Sequence, residues 1–139
     1  MRIWLFARIE ISPVHVHFAL GKNMKFLIVD DNRNIRETIK MMLGYDANEF
    51  VECDDGGATL ELYKQFHPDW VLMDLRMKTV DGITATKKLT EQFPQAKVLM
   101  VTDYDDEKFR YAAFSAGAVA YITKEHLIDI SLFIGNSHL

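Results

Sequence analysis

The sequence predicts an α/β sandwich built around a parallel sheet, and three observations carry that prediction. Short apolar runs recur five times between residues 24 and 139, each ending at polar residues, as in strands buried on both faces. Between the runs, apolar residues return at helical spacing. No two runs are joined by a two-residue hairpin turn, so successive strands run parallel and cross over through helices.

Phe26-Leu27-Ile28-Val29 is the first strand and stops abruptly at Asp30-Asp31. Asn32 caps the helix that follows, with Ile35, Ile39 and Met42 or Leu43 on its inner face and Gly44 at its C-cap. Phe50 to Cys53 forms a second strand, and a helix through Leu62, Tyr63 and Phe66 ends at His67-Pro68. The unit then repeats. Trp70 to Met73 is a strand ending at Asp74; Asp81-Gly82 opens a helix carrying Ile83, Thr86, Leu89 and Phe93. Val98 to Val101 ends at Thr102, and the next helix carries Phe109, Ala112, Ala113 and Ala116 before Gly117. Val119 to Ile122 is the last strand, ending at Thr123-Lys124, and a final helix carries Leu127, Ile130 and Ile134.

Composition narrows the class. The chain has 139 residues, 49% hydrophobic and 12% aromatic, which suits one domain with a real core and excludes a disordered tail. No uninterrupted apolar run approaches the roughly 18 residues of a membrane helix. The formal charge of −4 argues against nucleic-acid binding through phosphate contacts. Cys53 is the lone cysteine, so neither an internal disulfide nor a paired-cysteine zinc site forms, and a reducing cytoplasm is the simplest address. Residues 1–23 read as a leader or extension outside the domain: Arg8, Glu10 and Pro13 interrupt their apolar stretch, unlike a secretory signal. His15 and His17 there alternate with valines and lack a nearby third metal ligand. Removing these 23 residues, three basic and one acidic, leaves a domain of charge −6.

Right-handed crossovers bring all strand C-termini to one edge, where ligands of open α/β sheets bind. Asp30, Asp31, Asp74, Thr102 and Lys124 sit at that edge. Carboxylates gathered from separate strands repel unless a proton or cation intervenes, and an all-oxygen set favours a hard ion such as Mg²⁺. With Lys124 and a hydroxyl added, the set suits a phosphoryl group, and Asp74 can act as the nucleophile that accepts it.

Asp30-Asp31, the segment Met73-Asp74-Leu75-Arg76-Met77 with Asp81-Gly82, then Thr102, then Tyr121-Ile122-Thr123-Lys124 resemble the receiver domain of bacterial two-component response regulators. The resemblance spans residues 24–139, with its landmarks in order at strand ends, and is closest to receivers that precede LuxR-type helix-turn-helix domains. It implies a flavodoxin-like sheet of order 2-1-3-4-5. It implies Asp74 as phosphoacceptor, loaded by a sensor histidine kinase, a phosphotransfer protein or a small phosphodonor. Asp31 matches a direct Mg²⁺ ligand, Asp30 the holder of metal-bound water, and the Arg76 carbonyl a further ligand. Thr102 and Lys124 match the groups that bind the phosphoryl, and Tyr121 the switch aromatic whose ring turns inward. Arg76 and Tyr104 occupy the positions that govern phosphoryl lifetime. The resemblance implies a phosphoacceptor switch and not an enzyme, with only self-phosphorylation and slow self-dephosphorylation, acting through a partner or a homodimer.

The sequence departs from the family pattern at three places. Lys78 stands where receivers commonly have proline after the methionine, Glu125 where many have a proline following the lysine, and Asp103 where the residue is usually small. For Glu125 the alternatives are a cis bond at a cost of about 2.5–4 kcal/mol or a locally different loop; for Asp103, a solvent-facing carboxylate or one that repels the phosphoryl. Tyr121 reads equally as an ordinary half-buried strand aromatic. Met41, Met42, Met73, Met77 and Met100 read as core filler, and Lys87-Lys88 as a solvated helix face. A Mg-dependent phosphatase or other small enzyme on the same fold is the alternative. The Asp-x-Asp of haloacid-dehalogenase phosphatases is missing after the first strand, as is the Ser/Thr/Gly-rich loop of flavin binders.

Overall fold

The computed structural model describes residues 23–137, so residues 1–22 of the expected leader, with His15 and His17, lie outside the described residues. The elements are β1 (Lys25–Val29), α1 (Arg33–Leu43), β2 (Glu49–Cys53), α2 (Thr59–Phe66), β3 (Trp70–Met73), α3 (Gly82–Gln92), β4 (Val98–Thr102), α4 (Glu107–Ser115), β5 (Ala120–Thr123) and α5 (Ile128–Asn136). Short 3₁₀ turns at Gly56–Ala58 and Lys124–His126 lead into α2 and α5. The strands pair in parallel in the order β2-β1-β3-β4-β5. This is the flavodoxin-like, 2-1-3-4-5 sheet with five helices that the sequence leads one to expect.

Local chemistry explains where the helices start and stop. Asn32 accepts the amides of Asn34 and Ile35 at the start of α1, and Gly44, at φ 92°, donates back to the Lys40 carbonyl at its end. Asp81 caps α3 through the Thr84 amide and Asp106 caps α4 through Lys108. His67 takes the left-handed C-cap of α2 with φ 51°, and Pro68 prevents continuation.

Alternating strand residues divide the core between the two sheet faces. Phe26, Ile28, Leu72 and Leu99 pack against Ile39 and Leu43 of α1 and Ile130 and Ile134 of α5. Leu27, Val29, Val71, Met73 and Met100 face Tyr63 of α2, Ala85 and Leu89 of α3, and Ala113 of α4. All four residues of β3 and all five of β4 are buried, which is why those runs carry no polar side chain before Thr102. Two details differ from the sequence reading. Strand β5 starts at Ala120, leaving Val119 46% exposed, and Met41 is 68% exposed on the outer face of α1 and so fills no core.

The order reverses between β1 and β3, and the site lies at that reversal. There α3 presses directly on β3: the Gly82 amide donates to the Leu75 carbonyl at 2.8 Å, and a Cβ on Gly82 would stand 1.9 Å from the Asp74 carbonyl oxygen. That oxygen is backbone and cannot rotate away. Gly82→Ala therefore forces the helix off the strand end, and thermal unfolding followed by circular dichroism should show a loss of about 2 kcal/mol or more, or roughly 5–15 °C in Tm.

Candidate functional site

Asp30 and Asp31 follow directly on β1, and Asp74 follows directly on β3 beside it. Carboxylate oxygens of the three lie within 4.8 Å of one another; Asp30 and Asp74 are buried and Asp31 is exposed. Lys124, one residue past β5, reaches across the edge to place Nζ 2.9 Å from Asp30 Oδ2 and 3.4 Å from Asp74 Oδ1. Local amides hold the carboxylates as well: Asp30 Oδ1 accepts the Asn32 amide, and Asp74 Oδ1, the oxygen that faces Lys124, accepts the Leu75 amide, each at 2.8 Å. The pairing of Met73 with Met100 sets Thr102 just beyond the level of Asp74. Thr102 is fully buried, and its hydroxyl accepts the Tyr104 amide at 3.3 Å.

One ammonium thus faces two buried carboxylates, with a third at the rim. Burial and the neighbouring Asp30 charge push the Asp74 carboxyl up to about 6, against which Lys124 acts only in part. Asp30 is also raised, chiefly by burial, despite its hydrogen bond to Lys124. Burial alone would lower Lys124, but the Asp30 hydrogen bond and the two carboxylate charges outweigh it and hold the ammonium above its ordinary value. Among the described residues, the pocket's carboxylates outnumber the one ammonium that pairs with them. Its converging donors are all carboxylate oxygens, the set that a hard divalent cation such as Mg²⁺ accepts.

Arg76, two residues past Asp74, and Tyr104, two past Thr102, meet, the guanidinium lying 4.5 Å from the Tyr104 ring centre and 5.7 Å from that of Phe109. Tyr121 is buried; its hydroxyl donates to the Tyr104 carbonyl at 2.5 Å, and the Arg110 guanidinium lies over its ring at 4.7 Å. Tyr104 therefore touches the stack, the Thr102 hydroxyl and the Tyr121 hydroxyl at once. A groove of about 390 Å³ beside this stack is lined by Leu75, Arg76, Asp81, Ile83, Thr84 and Phe109.

The departures from the family pattern resolve locally. The peptide bonds of the described residues are all trans, and Lys124-Glu125-His126 forms a 3₁₀ turn, so the loop differs and no cis bond is needed. Asp103 is exposed. The loop that carries Lys78 is tied down by Asp55, whose carboxylate accepts the amides of Gly57 and Thr79, each at 2.8 Å, and of Val80 at 3.2 Å. Sequence reasoning did not single out Asp55 or Arg36, whose Nη1 donates to the Asp30 carbonyl at 2.7 Å. The Asp-Gly-Gly turn after β2 was a signal for the first; the second had none. Burial pushes the Cys53 thiol up to about 11, which disfavours the nucleophilic thiolate.

Comparison with known proteins agrees with this geometry. The family model described as response regulator receiver domain matches residues 26–130. The chain belongs to the response regulator receiver family. Among curated relatives, the transcriptional regulatory protein DegU of Brevibacillus brevis is 35% identical over 104 residues, 73% of this chain and 44% of its own length. The oxygen regulatory protein NreC of Staphylococcus haemolyticus is 36% identical over 104 residues, covering 73% of this chain and 48% of its own. This receiver spans less than half the length of those relatives. Among solved structures, a LuxR-family two-component response regulator from Aurantimonas sp. SI85-9A1 is similar at TM-score 0.73 and 29% identity, covering 83% of this chain and 87% of that one. A CheY-like receiver from Methanospirillum hungatei, at TM-score 0.72 and 24% identity over 84% of this chain and 98% of its own, shares the fold. The receiver is thus of the kind found in LuxR-type regulators, and among its described residues no helix is long and apolar enough to cross a membrane.

The raised Asp74 carboxyl makes the metal-free receiver pH-sensitive. Between the ordinary carboxyl value of 3.8 and about 6, the folded state holds a proton that the unfolded state has lost, so stability falls as pH rises through that window. Asp74→Asn, melted in EDTA, should exceed wild type by on the order of 2 kcal/mol at about pH 7.5 and match it near pH 4.

Proposed function

We propose that this receiver, residues 24–139, is a phosphorylation switch that accepts a phosphoryl group on Asp74 from a sensor histidine kinase or phosphotransfer protein, with Mg²⁺ as cofactor. The convergence of Asp30, Asp31 and Asp74 on one another, with Lys124 as the one ion-pair partner of Asp30 and Asp74 among the described residues, carries the reading. The three carboxylates and the Arg76 carbonyl are the groups that would hold Mg²⁺, Asp30 through metal-bound water. Bound there, the ion would balance the excess charge and attract phosphoryl oxygens.

The chain's own residues supply the rest. An ionised Asp74 oxygen attacks phosphorus; the new O–P bond forms as the P–N bond to the donor imidazole breaks, and the departing nitrogen takes a proton. Lys124 exchanges a carboxylate for a phosphoryl oxygen. Thr102 turns its hydroxyl from accepting the Tyr104 amide to donating to the phosphoryl group, and the new charge of about −1.5 to −2 holds it there. Tyr104 loses a partner at its amide while its carbonyl remains bound to Tyr121. Because the Tyr121 ring is already buried, the switch passes through hydrogen bonds around Tyr104 more than through a large ring swing. The surface of α4, β5 and α5 then changes toward a partner or a second receiver.

The named relatives are transcriptional regulatory proteins, so this receiver acts either alone or as the receiver part of such a regulator. Its net acidity gives it no direct role on nucleic acid, and its setting is the cytoplasm. The phosphatase alternative is not favoured, since the family match and the placement of Thr102 and Lys124 both fit a switch.

Incubation with acetyl phosphate and Mg²⁺ should add one phosphoryl mass to the intact protein, or beryllofluoride should perturb the Tyr121 region. Asp74→Ala should abolish both; an adduct that survives this substitution overturns the assignment. Arg76 and Tyr104, the two positions that the family resemblance ties to phosphoryl lifetime, stack on one another, and we infer that the pair slows in-line attack by water on the phosphorylated Asp74. Replacing both with alanine should shorten the phosphorylated half-life roughly tenfold, measured by loss of the adduct; an unchanged rate rejects that role.

A further inference from the structure

The acidic corner depends on a peptide plane as much as on side chains. Asp30 and Asp31 are adjacent, so the peptide between them, whose oxygen is the Asp30 carbonyl, sets how their two carboxylates diverge. Arg36, one turn into α1, donates from Nη1 to that oxygen at 2.7 Å and from Nε to Glu52 Oε1 on β2 at 3.0 Å. The Arg36 side chain is 16% exposed, and its planar fork satisfies both acceptors in one orientation. Glu52 is in turn fixed from the other side by Lys40 Nζ at 2.7 Å, and Lys40 also pairs with Glu37 at 2.7 Å. The Glu37 carboxylate accepts a hydrogen bond from Tyr45 as well.

We propose that Arg36 is a positioning residue for the metal-binding corner, holding the Asp30–Asp31 peptide in the orientation that points both carboxylates at the Asp74 pocket, with Glu52 as its anchor. The inference rests on the reading of that corner as the Mg²⁺ site. Arg36 touches neither Asp74 nor any carboxylate oxygen of the corner; it acts through the Asp30 carbonyl. An α1–β2 ion pair that only docked the helix would not need that second bond, and Lys40 shows the difference. Lys40 holds the same Glu52 from the same helix and makes no contact with Asp30.

Lys40 is therefore the control. Charge also separates the two roles by sign: removing a cation beside a divalent-ion site strengthens binding by Coulomb's law, whereas loss of the peptide's orientation weakens it. Mg²⁺ titrations by calorimetry should give a dissociation constant roughly tenfold higher for Arg36→Met than for wild type, and one unchanged or lower for Lys40→Met. Arg36→Lys, which keeps the charge without the two-acceptor fork, should fall between wild type and Arg36→Met. Amide spectra of the metal-free protein give a second readout: Arg36→Met should move the Asp31 and Asn32 signals strongly, and Lys40→Met should leave them near wild type.

Equal effects of the two methionine variants on Mg²⁺ affinity, or tighter binding by Arg36→Met, overturn the inference. If wild type binds no Mg²⁺, the reading of the corner as a metal site falls. The amide shifts then still decide whether Arg36 sets the Asp30–Asp31 peptide: unmoved Asp31 and Asn32 signals remove that role too.

Discussion

The constraint on which the site depends is a shortage of positive charge at the point where three strands end. Lys124 reaches both Asp30 and Asp74, at 2.9 and 3.4 Å, and one ammonium cannot neutralise two buried carboxylates with a third at the rim. A fold normally avoids burying unmatched charge, which costs several kcal/mol. Here the cost is concentrated in the pocket, and the raised Asp74 carboxyl is its signature. A pocket left in this state favours any ligand that supplies cationic charge, and then any anion that the cation attracts.

Much of the surrounding structure keeps those carboxylates from relaxing apart. The parallel sheet fixes β1 and β3 side by side through Val29 and Met73, and the Asp74 amide donates to the Val29 carbonyl at 2.8 Å. On one face, α1 supplies Arg36 to the Asp30 carbonyl. On the other, α3 approaches so closely that only glycine fits at position 82. Asp55 ties the β3–α3 loop to the end of β2, doing by side-chain hydrogen bonds what a proline at position 78 would do by its fixed φ. Each device acts on backbone, and backbone is what sets the direction of a carboxylate at a strand end.

The rim has a different character. Arg76, Tyr104 and Phe109 are joined by cation–π and edge contacts, which are weaker and easier to rearrange than the backbone bonds beneath. Tyr104 is 37% exposed, yet it links Thr102 to Tyr121 through its own amide and carbonyl. A rigid floor of strand ends under a rearrangeable rim suits a device that must hold a small ligand and report it at a distance.

The sequence by itself determined the number and order of strands and helices, because buried strands and amphipathic helices write their periods directly into apolar positions. It also determined the five polar residues that terminate the strands, since strand ends of a parallel sheet must share an edge. Only the tertiary structure decided how those residues pair. Which carboxylates Lys124 satisfies, that Arg36 holds the Asp30 carbonyl, that Asp55 spans from β2 to the next loop, and that Arg76 stacks on Tyr104 are contacts between residues 6 to 94 positions apart. Such contacts follow from register, pleat and side-chain reach, quantities that no local pattern records. Met41 is a different case: it lies about 200° around α1 from Ile39, so its spacing already turns it to solvent, and only its apolar character suggested a core residue.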